Sequence, residues 1–253
     1  MRLFVPLPLT TGTELPLPDG AARHAMVRRV QPGQVLTLFD GGGCDWPAVV
    51  LAVGRSSVQV RVGAPQPVAR ELPQSVTVAL AMPANERMDL LVEKATELGV
   101  AHIQPLHSER SVLRLSGERA ERKRAHWQAV AQAACEQCGR AVVPTVAPVA
   151  ALGDWLRSAA VQAAAARWLL SLQPDAQPAA TLGLPQGALC TLSGPEGGLT
   201  ADEEAAARAA GFVALDLGPR VLRAETAPLA VLSWLALNQG PNPCYGLADR
   251  LHL

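Results

Sequence analysis

Leu189-Cys190-Thr191-Leu192-Ser193-Gly194-Pro195-Glu196-Gly197-Gly198-Leu199-Thr200 decides the reading of this chain. It runs from Ala188 to Leu192, an apolar stretch suited to a buried strand, through a turn with three glycines to Thr200. Thr200 with Glu203 forms a capping box that opens an alanine-rich helix to Ala210. A turn without β-carbons lets a ligand pass close to the backbone. Phosphate is the first ligand such a step suggests, but there is no Gly-Lys-Ser/Thr, and Glu196 puts an anion where phosphate oxygens would sit. A neutral or cationic ligand fits better.

One helix and one strand later the pattern repeats. Phe212 to Leu217 alternates like a strand and ends in Gly218-Pro219-Arg220-Val221-Leu222-Arg223-Ala224-Glu225-Thr226-Ala227-Pro228. Thr226 reads as an N-cap, with Pro228 in the first turn of an apolar helix, Leu229 to Asn238. Either loop alone is more simply a tight turn with solvated charges. Two of them at the ends of successive strands, one carrying Arg220, Arg223 and Glu225 together, point to a site, because open α/β sheets bind ligands at the carboxyl ends of their strands.

The chain of 253 residues is long enough for one large or two ordinary domains, and 49% of it is hydrophobic, which describes a globular protein. Its 22 basic residues balance 22 acidic ones, so any nucleic-acid contact must come from local patches. Five cysteines show no disulfide framework, no secretory signal follows Met1, and no apolar run reaches membrane length. A reducing cytoplasm is the expected compartment.

Residues 1–70 read as a small strand-rich barrel, with strands at Leu3 to Val5, Val35 to Phe39, Pro47 to Val53 and Ser57 to Val62. In this part Arg2, Arg23, Arg28, Arg29, Arg55, Arg61 and Arg70 outnumber Glu14, Asp19, Asp40 and Asp45 by three. His24, Arg28 and Arg29 share a short helical stretch, Asp19 to Val30, and can form one cationic surface; such clusters are more often solvated faces than RNA sites. Pro65 to Pro73 is a proline-stiffened linker without a packing pattern.

Residues 74–253 change period. Val76 to Met82, a helix from Arg87 to Leu98 and Ala101 to Leu106 form a βαβ unit, and later apolar strands alternate with helices, so a mostly parallel sheet covered on both faces follows. A second basic patch lies between Arg110 and Arg124, where Arg110, Arg114, Arg119, Arg122, Lys123 and Arg124 face only Glu118 and Glu121. It opens a helix that ends at Cys138, with Gly139 as its cap. Cys135 and Cys138 have metal or thioredoxin spacing, but no second pair or histidine lies in register, and two packing residues are the simpler reading. An alanine-rich helix over Asp154 to Ala166, a strand over Trp168 to Leu172 and a loop over Ala176 to Gln186 complete the pattern.

With these stretches in view the chain resembles the ribosomal RNA small subunit methyltransferase E family of the knotted SPOUT class. The matching blocks are Lys94 to Val100, Ser108 to Ser111, Ala134 to Arg140, Gly194 to Leu199 and Leu217 to Ala227, in that order. It departs from many relatives at Ala81 to Asn85, where Met82-Pro83-Ala84-Asn85 contains no lysine or arginine. The resemblance implies a PUA-like RNA-binding barrel over 1–70 and a trefoil-knotted S-adenosylmethionine-dependent methyltransferase domain over 74–253. It also implies a homodimer and methylation of uridine N3 in the decoding region of 16S ribosomal RNA, within the small ribosomal subunit. Carried over by the family pattern, cofactor contacts fall on Leu172, Leu192, Gly194, Glu196, Gly197, Gly198, Leu217, Gly218 and Leu222.

Such a reaction needs alignment more than covalent help, because a sulfonium already carries a good leaving group. Uridine N3 must lose its imide proton, and the charge then spreads onto O2 and O4, so a carboxylate near N3 and guanidinium donors near the oxygens are wanted. Arginine stays protonated and cannot be the base. Glu225 is the candidate base, with Glu136 and Glu196 as rivals. Arg223 is the candidate oxyanion stabiliser, Arg110 and Arg140 the candidate holders of RNA, and Arg23, Arg28, Arg29, Arg122 and Arg124 the wider RNA surface. No residue is assigned to a metal. A Rossmann methyltransferase would carry its glycine-rich loop after the first strand, where Leu80-Ala81-Met82-Pro83 has none. The alternative from another class is a non-enzymatic RNA-binding or ribosome-assembly protein.

Overall fold

The computed structural model describes residues 1–83 and 85–239. Residue 84 and residues 240–253, which include part of the Ala81 to Asn85 loop and the end of the expected second domain, lie outside the described residues. The chain forms two compact units: Met1–Glu71 with Gln132–Val143, and Leu72–Ala131 with Pro144–Leu253. Expected boundaries at 70 and 74 therefore miss one segment, residues 132–143, which belongs with the N-terminal unit although it lies far along the chain.

In the N-terminal unit β1 (Arg2–Phe4), β2 (Glu14–Pro16), α1 (Asp19–Val27), β3 (Val35–Phe39), β4 (Cys44–Val53), β5 (Val58–Val62) and β6 (Gln66–Pro67) follow in order. The strands form one sheet in the order β1-β3-β4-β5-β2, with β6 on β4. All neighbouring strands but β1 and β3 run antiparallel. Alternation drives this: every second residue of β5 is buried, and Val58, Val60 and Val62 join Leu36, Leu38, Ala48 and Val50 in the core. Two short elements were not legible. Glu14–Pro16 is too brief to alternate, and Gln66–Pro67, inside the expected linker, is a strand only because it pairs with Cys44 and Asp45. Arg29 ends α1 with φ 55°, a left-handed conformation that usually falls to glycine.

The second unit contains β7 (Val76–Ala81), α2 (Asn85–Glu97), β8 (His102–His107), the part of α3 (Gly117–Cys138) up to Ala131, β9 (Thr145–Val146), β10 (Ala150–Ala151), α4 (Leu152–Leu156), α5 (Ala159–Ala163), β11 (Ala166–Leu170), β12 (Gln177–Pro178), α6 (Ala179–Leu182), β13 (Leu189–Ser193), α7 (Ala201–Ala209), β14 (Val213–Asp216) and α8 (Thr226–Leu237). Its sheet runs β10-β8-β7-β13-β11-β14-β12, with β9 on β8, and every pairing is parallel. All five residues of β13 are buried, as a central strand covered on both faces requires. The single alanine-rich helix expected over Asp154 to Ala166 is instead two short ones. Ser158 breaks it by accepting from the Val161 amide and starting α5 afresh. Helix α8 begins at Thr226, so its cap position is Glu225 and not Thr226. Among the described residues no helix is long and apolar enough to cross a membrane.

Candidate active site

Neighbouring strands β13, β11 and β14 end on the same side because they are parallel, and the loops that leave them enclose a cavity of about 460 Å³. Leu170 to Gln173 come from the end of β11, Ser193 to Leu199 from the glycine turn, and Leu217 to Ala224 contribute most of the third wall; Arg87, Arg110 and Glu204 complete the rim. The volume lies in the range of small-molecule sites.

The glycine turn is held from within and from outside. Gly198 N donates to Pro195 O at 2.8 Å, and Gly198 has φ 68°. A β-carbon on Gly194 would lie 2.7 Å from Leu199 N and 2.8 Å from Gly198 C, whereas one on Gly197 would meet Arg110 only at ordinary contact distance. Close approach therefore requires glycine at Gly194 on account of the turn's own backbone, and at Gly198 on account of its dihedral angle. Thr200 and Glu203 form the expected capping box at the start of α7, with Glu203 N donating to Thr200 Oγ1 at 3.2 Å and Thr200 N to Glu203 Oε2 at 2.9 Å. From outside, Arg110 Nη1 donates to Gly197 O at 2.9 Å, and Arg87 Nη1 pairs with Glu196 Oε1 at 2.9 Å.

On the other walls Ser171 Oγ accepts from Gln173 N at 3.2 Å and donates to Glu204 Oε2 at 3.4 Å. Gly218 N donates to Asp216 Oδ1 at 2.8 Å, bending the chain out of β14. Leu172 and Val221, 72% and 78% exposed, give the cavity wall apolar surface. Four guanidinium groups, Arg87, Arg110, Arg220 and Arg223, face two carboxylates, Glu196 and Glu204, so the cavity can take an anionic partner at its rim and still offer a carboxylate to a cationic one.

Of the residues assigned to a cofactor, Leu172, Gly194, Glu196, Gly197, Gly198, Leu217, Gly218 and Leu222 all line the cavity. Leu192 does not; it is fully buried in the core. Arg110 and Arg223 line the cavity too. Glu225 is outside the lining: it is 5% exposed at the start of α8, makes no capping hydrogen bond, and its Oε2 has no partner. Arg140 lies in the N-terminal unit, 3% exposed, with its guanidinium on both oxygens of Glu71, and it is not among the residues that line the cavity. Glu136 also belongs to that unit and is used by the Phe4 amide at 2.9 Å and by His24 at 3.3 Å. Arg23, Arg28 and Arg29 are exposed in the N-terminal unit. Arg122 and Arg124 pair with Glu118 and Glu121 along their own helix.

Cys135 is buried, donates to Val142 O at 3.5 Å, and its thiol is pushed far up by a hydrogen bond with Cys138 and by burial. That is packing chemistry, not that of a reactive thiolate. Sequence reasoning missed Arg87, Ser171 and Glu204 as cavity residues. Arg87 meets Glu196 across 109 positions, which no local pattern reports. Glu204 had a signal, since it stands in the first turn of a helix that begins at the glycine turn.

A family model described as RNA methyltransferase domain matches residues 70–236, and one described as RNA methyltransferase PUA domain matches residues 17–63. The chain is 36% identical over 216 residues to the ribosomal RNA small subunit methyltransferase E of Mycobacterium bovis, covering 85% of this chain and 82% of that protein. Among solved structures, the ribosomal RNA small subunit methyltransferase E of Neisseria gonorrhoeae bound to S-adenosyl methionine is 36% identical with a TM-score of 0.86, over 92% of this chain and 96% of that one. A methyltransferase of Legionella pneumophila in complex with bound cofactor SAM is 32% identical with a TM-score of 0.88, over 93% and 96%.

Proposed function

We propose that this chain, which belongs to the ribosomal RNA small subunit methyltransferase E family, transfers a methyl group from S-adenosylmethionine to 16S ribosomal RNA, at N3 of a uridine. The observation that carries this reading is the cavity where β13, β11 and β14 end, lined by eight of the nine residues expected to touch the cofactor. Its size, its bare apolar walls at Leu172 and Val221, and the carboxylates of Glu196 and Glu204 fit an adenosyl group attached to a cationic sulfonium. Leu172, Leu217 and Leu222 with the backbone of Gly194, Gly197, Gly198 and Gly218 would hold it. When bound, S-adenosylmethionine supplies an electrophilic methyl group on a good leaving group.

What remains for the chain is to fix the acceptor and remove its proton. Arg223 and Arg110 line the same cavity; Arg223 is assigned to the uridine oxygen that gains charge and Arg110 to holding the RNA. Glu225 takes the N3 proton: it follows Arg223 by two residues, and a buried carboxylate oxygen without a partner has a hydrogen-bond acceptor still to use. Exposed Arg23, Arg28 and Arg29, with Arg122 and Arg124, supply phosphate contacts. The small ribosomal subunit as substrate, a trefoil knot, a homodimer and a cytoplasmic location belong to the same proposal. Leu237, 83% exposed on α8, supports the dimer, since an apolar helix of this kind needs cover on a second side.

Calorimetry with S-adenosylmethionine, followed by mass spectrometry of 16S RNA from cells with and without the gene, tests the reading. Binding together with the loss of one methylated uridine is expected. RNA binding without cofactor binding would transfer the protein to the class of ribosome-assembly factors.

A further inference from the structure

The loop between β8 and α3 is tied to the glycine turn at two points. Arg110 Nη1 donates to Gly197 O at 2.9 Å and reaches Leu199 O at 3.4 Å, and the neighbouring Glu109 N donates to Glu203 Oε1 at 2.7 Å. Glu203 is the capping residue of α7, but a capping box uses one carboxylate oxygen, here Oε2 on Thr200 N. Its other oxygen is committed to a backbone amide 94 positions earlier in the chain. That amide sits in a stiff frame. Buried Ser108 and Ser111 close the loop on themselves, with Ser108 N to Ser111 Oγ at 3.0 Å, the two hydroxyls 2.9 Å apart, and Ser111 N to Ser108 O at 3.2 Å. On the far side of Glu109, Arg114 Nη2 donates to its carbonyl at 2.8 Å.

We propose that Glu203 is a positioning residue of the cofactor cavity: through the Glu109 amide it holds Arg110 against the carbonyls of Gly197 and Leu199, and so sets the shape of the glycine turn. The physical ground is that a guanidinium on a long side chain is a poor clamp unless its own backbone is anchored, because each of its rotatable bonds must be ordered to make the contact. Glu203 anchors it with a charge-assisted bond, and one carboxylate thereby joins the loop after β8 to the turn after β13. This inference rests on the cofactor reading above.

The two roles of Glu203 separate by mutation. Thr200→Val removes the cap's side-chain acceptor and leaves the Glu109 tie, whereas Glu203→Ala removes both. Melting temperature, S-adenosylmethionine affinity and hydrogen exchange at the Glu109 amide are measured for both, and affinity for Arg110→Ala and the Arg110→Ala/Glu203→Ala double variant. Both single variants at the cap should lose a few degrees of melting temperature. Only Glu203→Ala should expose the Glu109 amide and weaken cofactor binding, by about tenfold for one charge-assisted bond. The double variant should bind no worse than Arg110→Ala alone, since the clasp acts through that arginine. Affinity equal to that of Thr200→Val, or losses that add, would overturn the proposal and leave Glu203 a helix cap. If the wild-type protein binds no S-adenosylmethionine, the cofactor reading fails, and unchanged exchange at Glu109 would still overturn the clasp on its own.

Discussion

Arg140 in the N-terminal unit and Arg110 at the cavity of the second unit carry the same side chain in opposite circumstances. Arg140 is 3% exposed, its Nε donates to Glu71 Oε1 at 3.0 Å, and Glu71 Oε2 accepts a second bond. Arg2 of the same unit is similar, with Nη1 on Cys135 O at 2.7 Å and its guanidinium 4.4 Å over the Phe39 ring. Arg110 is exposed and turns one nitrogen to the carbonyls of a ligand-sized cavity, beside exposed Arg220 and Arg223. Residue type therefore says little about role until burial is known. A guanidinium satisfied inside the protein cannot offer its donors to RNA without stranding a carboxylate, while one at a rim gives up only water.

The largest effect should come from breaking the buried side of this comparison. Arg140→Ala removes a buried side chain and leaves half-buried Glu71 without its partner, and should cost about 3 kcal/mol of stability, while the folded fraction binds S-adenosylmethionine normally; a stable variant with weakened RNA binding would erase the contrast. Arg223→Ala should do the reverse. Its stability should stay within about 0.5 kcal/mol, whereas methyl transfer should fall roughly a hundredfold, the usual loss for one oxyanion donor. Normal turnover in single-turnover assays would remove Arg223 from the acceptor site. Glu225→Gln should show a comparable rate loss, partly recovered as pH rises and hydroxide takes the imide proton, with cofactor affinity intact. A flat pH profile with wild-type turnover would leave Glu225 a buried structural residue.

Smaller effects sharpen the exposed side. Alanine at Arg23, Arg28 and Arg29 together should flatten the salt dependence of RNA binding by roughly 0.7 to 0.9 per phosphate contact and leave melting unchanged. An unaltered slope would remove these side chains from the RNA surface. The smallest effect belongs to Lys94, whose ammonium is held above its ordinary pKa by the hydrogen bonds it donates to Glu93 and Glu97. Because the shift is upward, any stability it confers is complete below the unfolded value of 10.5 and is lost only above it. Lys94→Met should therefore change the melting temperature by the same small amount at pH 7 and pH 9. A difference between the two would show that the pair titrates earlier than its surroundings require.

Local pattern alone determined the parallel character of the second unit, the capping box at Thr200 and Glu203, and the two loops at which a ligand would sit. These features are written in neighbouring residues, where the period of apolar side chains and the turn residues act over a few bonds. The family blocks added cofactor positions, and all of these but Leu192 line the cavity. Tertiary structure alone decided that residues 132–143 fold with the first 71, that Gln66–Pro67 is a strand, and that Arg140 is inside while Arg110 is outside. It also decided that Glu203 serves a loop 94 residues away as well as its own helix. Each of those outcomes depends on a partner brought close by the fold, as Glu71 is to Arg140 or Glu109 to Glu203. The sign and spacing of charges along a chain cannot report such a partner, because desolvation and hydrogen bonding are settled only when distant segments pack together.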